Sequence, residues 1–244
     1  MIGDILTIIW KEWRELVFQR GSWRGIFFSL LPSIILFGII FPAQLGRLWV
    51  TSPLPLGLWA WLPTLPVMAI VADAFAGERE RHTLETLLAS PLSAAAILFG
   101  KVAAVVIYAC ALTLIVLVVA LVTVNFVVGT GVILYPGAIA LSGIILSLLT
   151  ATLAASIGVI VSLRAPTVKQ AAQQLAFVSM GLFWLPVFGF SLLPNRLLSS
   201  VVQLVTNANG TQIFIMSAIT LAVIDMILLL VAKKRFVRSR LILD

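Results

Sequence analysis

Residues 102–163, "VAAVVIYACALTLIVLVVALVTVNFVVGTGVILYPGAIALSGIILSLLTATLAASIGVIVSL", contain no Asp, Glu, Lys, Arg or His. An unbroken apolar run of more than about 18 residues is long enough to cross a bilayer as a helix. This stretch is long enough for two crossings, and "VGTGVILYPG" at 128–137 supplies the turn between them. The runs are continuous rather than alternating, which argues against a membrane β-barrel. The rest of the chain agrees: 61% of it is hydrophobic and only 10% charged, against roughly a quarter charged in soluble domains. The expected class is an all-α integral membrane protein, with residues 1–244 forming one transmembrane domain.

Working outward, the apolar runs predict six spans at about 26–43, 57–76, 95–124, 137–162, 171–193 and 211–232. "LPNR" at 193–196 follows the fifth and "TNANG" at 206–210 precedes the sixth. The fifth is expected to be broken at Pro186 and Gly189, with a re-entrant or interfacial segment following it. Of the 16 Lys and Arg residues, all but Arg47 and Arg196 fall on one side of a six-span arrangement. Basic residues accumulate on the cytoplasmic side, so both termini are expected there, in a multi-pass protein of the inner or plasma membrane. The net charge of +7 follows from these flanks and from anionic lipid. No soluble basic face exists for nucleic acid.

Residues 4–20 are different. Leu6, Ile9, Trp13, Leu16 and Val17 recur at helical spacing, with Lys11, Arg14 and Glu15 on another face. The pattern predicts an amphipathic helix at 4–22 lying against membrane lipid. Residues 1–25 mix tryptophan with both signs of charge, so no cleavable signal is expected.

The densest charge lies in "AFAGERERHTLETLLASPLSAAAILFGK", residues 74–101. Thr83 is placed to cap a short helix, Glu85 to favour its first turn, and Leu84, Leu87 and Leu88 to share one face. Ser90-Pro91 stops that helix, and Ser93 is placed to cap the third span. Two turns are too few to be stable alone. Either the segment rests on headgroups or it docks on something outside the bilayer. A lipid-surface helix is normally basic, whereas Glu78, Glu80 and Glu85 offset Arg79 and Arg81. The mixed charge favours docking on a protein of complementary charge.

This stretch resembles the hallmark of type 2 ATP-binding-cassette (ABC) exporter permeases. There an acidic-basic stretch leads to Gly-Thr-Leu-Glu, a Leu-Leu pair, Ser-Pro or Thr-Pro, and Gly-Lys opening the next span. The matching residues are Glu78, Arg79, Glu80, Arg81, Thr83, Leu84, Glu85, Leu87, Leu88, Ser90, Pro91, Gly100 and Lys101; His82 stands where glycine is usual. The resemblance implies a dimer, with a second copy of this chain as the expected partner, seated on two ABC ATPase subunits. The loop after span two would be the coupling helix, with Glu78, Arg79, Arg81, His82, Thr83, Leu84, Glu85, Leu87, Leu88 and Pro91 as the ATPase-coupling residues. In that family spans two and five contribute to the dimer interface and substrate route. Trp59, Trp61, Phe183 and Trp184 therefore become candidate route residues, with an interfacial aromatic belt as the alternative. An amphiphilic cargo is expected. A haem-export membrane subunit and a non-transporting membrane scaffold remain alternative readings.

The chain itself is expected to be no enzyme and to bind no cofactor, with ATP and Mg held by the partner ATPase. Its only Gly-Lys, Gly100-Lys101, is followed by Val102 and preceded by Ala95 at the first glycine position of a phosphate-binding loop. His82 has no metal-spaced neighbours and Cys110 has no partner, so neither a metal site nor an intrachain disulfide is expected. Asp225 is the one acid inside a span. An intramembrane carboxylate is costly and calls for a role; pairing within the bundle is the favoured reading, a proton or cation role the other. Asp73, at the end of span two, is expected to hydrate or pair. "ATLAASIG" at 151–158 is suited to close helix packing.

Overall fold

The computed structural model describes residues 2–15, 30–52, 55–83, 90–129, 131–192, 194, 197 and 210–236. Among them the chain is helical, without strands. In order run α1 (Ile2–Arg14), α2 (Leu30–Leu45), α3 (Arg47–Thr51), α4 (Gly57–Glu80), α5 (Ala94–Val128), α6 (Gly137–Ser162), α7 (Val168–Leu192) and α8 (Gly210–Arg235). Helices α4, α5, α6 and α8 are long and apolar enough to cross a membrane, so the chain is a multi-pass membrane protein. Helix α7 is 25 residues long, but Lys169, Gln170, Gln173 and Gln174 occupy its first turns. Residues 26–29 of the expected first span, the segment after Leu197 and residues 237–244 lie outside the described residues.

Helix α6 is the centre of the bundle, packing against α4, α5, α7 and α8. Its small residues make this possible. A Cβ on Gly158 would fall 2.8 Å from Val71 Cγ1 of α4, so only glycine permits that approach. Ala151, Ala154, Ala155 and Val159 are buried in the same core. Burying such surface is worth about 25 cal/mol per Å2 only where water is the alternative. In lipid, close packing takes over as the source of cohesion.

Helix ends follow local chemistry. Ser93 Oγ accepts from Ala96 N at 3.2 Å, capping α5 as its position predicts. At the other end Gly129 takes φ 60, the left-handed conformation that glycine adopts at least cost. Asn125 then fastens the following loop, donating from Nδ2 to Ile133 O and accepting from Ile133 N.

Helix α7 departs from expectation. Its backbone runs through Pro186 and Gly189 without interruption and ends at Leu192, before Pro194. A proline inside a helix forfeits one hydrogen bond, a loss that membrane helices tolerate. The interruption falls instead in α4, where a turn at Leu62–Pro63 separates its first two helical segments.

The bundle has two unlike ends. One holds an aromatic stack: Trp49 against Phe41 and Trp59, and Trp59 edge-on to Tyr135 at 5.1 Å. Tyr135 donates to Leu117 O, and burial pushes its hydroxyl above the ordinary tyrosine range. The other end gathers the charge.

A buried charge clamp as candidate functional site

Lys101 Nζ is at the centre of the charged end. It lies on the second turn of α5, yet is only 1% exposed. An ammonium has three donors, and all are engaged: to Glu12 Oε1 at 2.6 Å, Glu78 Oε1 at 2.9 Å and Ala74 O at 3.0 Å. The Phe75 ring covers it at 5.6 Å, a distance favourable for a cation over an aromatic face. Lys11 reaches Glu78 Oε1 at 3.4 Å and Glu15 at 3.4 Å. Three elements, α1, α4 and α5, thus meet in one network of two lysines and three carboxylates.

Gly100 admits α1 to this site. A Cβ there would stand 2.6 Å from Ile8 Cβ and 3.3 Å from Ile5 O, so any side chain would push α1 away. The sequence pattern placed Leu6, Ile9, Trp13, Leu16 and Val17 on a stripe lying against lipid; Leu16 and Val17 lie outside the described residues. In the structure Ile8 and Glu12 are the buried positions, while Leu6 and Trp10 are exposed. This side of α1 meets the protein because Lys101 offers Glu12 a buried cation and Gly100 offers Ile8 room.

Two groups here are displaced from their ordinary titration. Burial raises the Glu12 carboxyl, outweighing the opposing pull of Lys101. For Lys11 burial works downward, but the charges of Glu78, Glu12 and Glu15 together outweigh it and raise the ammonium. The second Glu78 oxygen, Oε2, is buried without a partner.

The neighbours of Glu78 each hold a different helix. Arg79 Nη1 donates to Leu163 O at 2.9 Å, at the carbonyl end of α6. Glu80 Oε2 accepts from Val168 N at 2.9 Å, the first residue of α7. A cation at a helix C-terminus and an anion at an N-terminus both suit the helix dipole. Arg81 Nη2 donates to Asp73 Oδ1 at 3.0 Å, the pairing expected of Asp73. The mixed charge, which from sequence favours a protein partner, is therefore engaged within the chain along Glu78–Arg81.

The helix then stops. Thr83 N donates to Glu78 O and His82 N to Arg79 O, the paired bonds of a Schellman ending. Such an ending needs one residue with positive φ, and His82 supplies it at φ 55. That geometry accounts for glycine being usual at this place in the motif. Thr83, expected to cap the next helix, sends its hydroxyl proton back to Glu78 O at 3.2 Å. Leu84, Glu85, Leu87 and Leu88 lie outside the described residues; Pro91 is exposed in the bend leading to Ser93.

The candidate route residues are placed separately. Trp59 is buried in the aromatic stack and covered by its own chain, and Trp61 is half-buried. Phe183 lies on α7, with its side chain outside the described set. Trp184, 40% exposed, stacks on Phe188 at 5.4 Å. With Phe177, Met180 and Gly181 these two line an open apolar groove of about 480 Å3. Asp225 is buried on α8, and among the described residues neither of its oxygens has a hydrogen-bond partner. Among the described residues no group of His, Cys, Asp and Glu is arranged to hold a metal.

A multi-pass helical membrane protein with a charge-dense turn at one end is the class these features define. The model of the ABC-2 family transporter proteins matches residues 61–209, which include the clamp turn, Lys101 and helices α5 to α7. The chain belongs to that family and is an ABC-2 type permease. Membrane subunits of this family generally work with an ABC ATPase. Comparison with curated proteins returns no match.

Proposed function

We propose that this chain is the membrane-spanning subunit of an ABC exporter that moves an amphiphilic substrate. Two copies sit on two ATPase subunits in the cell membrane. Each copy crosses six times, with α2 and α7 completing the set, and both termini face the cytoplasm. ATP and Mg belong to the ATPase; this chain carries out no hydrolysis. The loop after α4, from Glu78 to Pro91, meets the ATPase, with Leu84, Leu87 and Leu88 among its coupling residues.

The clamp carries this reading. A docking segment transmits force only if its root is stiff. The root here, Glu78–Arg81, is tied to α1, α5, α6 and α7 at once. A push on the loop is thereby delivered to four helices together. ATP shifts the equilibrium between two transporter states only through different affinity for them, and a stiff root makes the states differ at the membrane. The apolar groove of α7 supports contact with a second copy or with a lipophilic cargo.

The test is capture of the intact chain from its native membrane, followed by ATP turnover. An exporter brings down an ATPase in equal amount, and cargo changes its turnover. Capture of cytochrome-maturation subunits would instead favour haem export, and capture without turnover a scaffold.

A further inference from the structure

Helix α8 presents most of its side chains outward. Only Asp225 and Ala232, seven residues apart and so on one face, are buried. Asp225 is 4% exposed, between Ile224 and Met226, which are 40% and 68% exposed. The acid is thus turned from the bilayer side into the bundle, against α6, the helix on which α8 packs. Both its oxygens are buried, and neither accepts a hydrogen bond from any described residue.

Among the described residues the charges around it are few. Helix α6 carries no ionisable side chain from Gly137 to Ser162; its first is Arg164, beyond the helix. On α8 the nearest are Lys233, Lys234 and Arg235, the first about 12 Å along the axis at 1.5 Å per residue. Lys233 and Lys234 are exposed. The end of α4 meets this region through Phe75 on Phe236. Its Asp73 is engaged with Arg81, and its Glu78, Arg79 and Glu80 are engaged in the clamp.

A carboxylate with no counter-charge and no donor is a costly thing to bury. A bound metal cation does not solve this, since hard cations want six or more oxygen ligands and α6 offers only neutral groups. A proton solves it with one bond. We infer that Asp225 is a proton-binding site, loaded when α8 is packed on α6 and emptied when the two helices part enough to hydrate it. The proton is then a ligand of the packed state, and acid favours that state while alkali favours separation.

The test is infrared spectroscopy of the full chain in phospholipid bilayers, with aspartate carrying carbon-13 at its side-chain carboxyl. At neutral pH the wild type should show a protonated-carboxyl stretch that moves on labelling and is absent from Asp225→Asn. Thermal stability should fall with that band as pH rises in the wild type, with no matching step in Asp225→Asn. If Asp225→Asn does not fold, labelled wild type still decides. Substituting Asp4, Asp73 and Asp244 by Asn should then leave the band in place. No label-sensitive band at neutral pH, or one that survives Asp225→Asn, would overturn the assignment.

Discussion

Lys101 Nζ and Glu12 Oε1 are 2.6 Å apart, across 89 residues of sequence and with both side chains buried. Removing one partner of such a pair strands the other, at a cost of about 3–5 kcal/mol. Lys101→Met is therefore expected to destabilise the chain strongly, because it leaves the buried Glu12 and Glu78 only the more distant Lys11. Adding Glu12→Gln to Lys101→Met should recover part of the loss. Denaturation of the two single variants and the double variant in one detergent measures the coupling.

Gly100 is expected to tolerate no side chain. Gly100→Val forces branched carbons into the space of Ile8 Cβ and should cost roughly 1–3 kcal/mol, as overpacking does. The loss should be local to α1. Proteolysis within residues 2–15 should speed up while cleavage of the loop at 129–136 is unchanged.

His82 occupies a left-handed conformation in the Schellman ending. Here glycine should be better and a β-branched residue worse. His82→Gly is expected to raise stability by up to about 1 kcal/mol, relieving part of the left-handed penalty, and His82→Val to lower it. Thermal unfolding of the pair distinguishes this from a role for the imidazole, which would make both substitutions harmful.

Glu12 and Lys11 set the sign of a pH dependence. Glu12 is raised above its ordinary 4.5, so the folded chain holds that proton longer than the unfolded one. Its contribution to stability therefore falls as pH rises from 4.5 through the folded value. Lys11 is raised above 10.5, so its contribution is complete below 10.5 and lost as pH climbs through the folded value. Melting temperatures of wild type and Glu12→Gln should lie closest below pH 4.5, where both side chains are neutral, and wild type should lose ground to the variant as pH rises through the first window. Lys11→Met should approach wild type only in strong alkali.

Much of the bundle was legible because lipid imposes a simple code. The expected span 137–162 coincides with α6, Gly137–Ser162, since Pro136 and Gly137 mark its start and Arg164 follows its end. Helix α5 runs from Ala94 to Val128 against an expected 95–124. The clamp was less legible. A lysine at a span edge reads as reaching for water, and nothing local to Lys101 says that Glu12 will cover it. The signal available was Ile5, Ile8 and Glu12 at spacings of three and four, with Gly100 beside Lys101. The grips of Arg79 and Glu80 depend on where α6 ends and α7 begins in space, which no local pattern encodes. The bundle-facing side of α1 was hidden for the same reason: periodicity finds an apolar stripe for lipid, but tertiary packing chooses which other residues meet the protein.

The most direct test concerns the loop that the clamp anchors. With Cys110→Ala as background, Glu85→Cys is introduced and the chain is assembled with its ATPase in membranes. A cysteine at 85 should cross-link to the ATPase subunit, and thiol reagents that cannot cross the membrane should leave it unlabelled in intact cells. Labelling from outside, with no cross-link to the ATPase, would contradict the account.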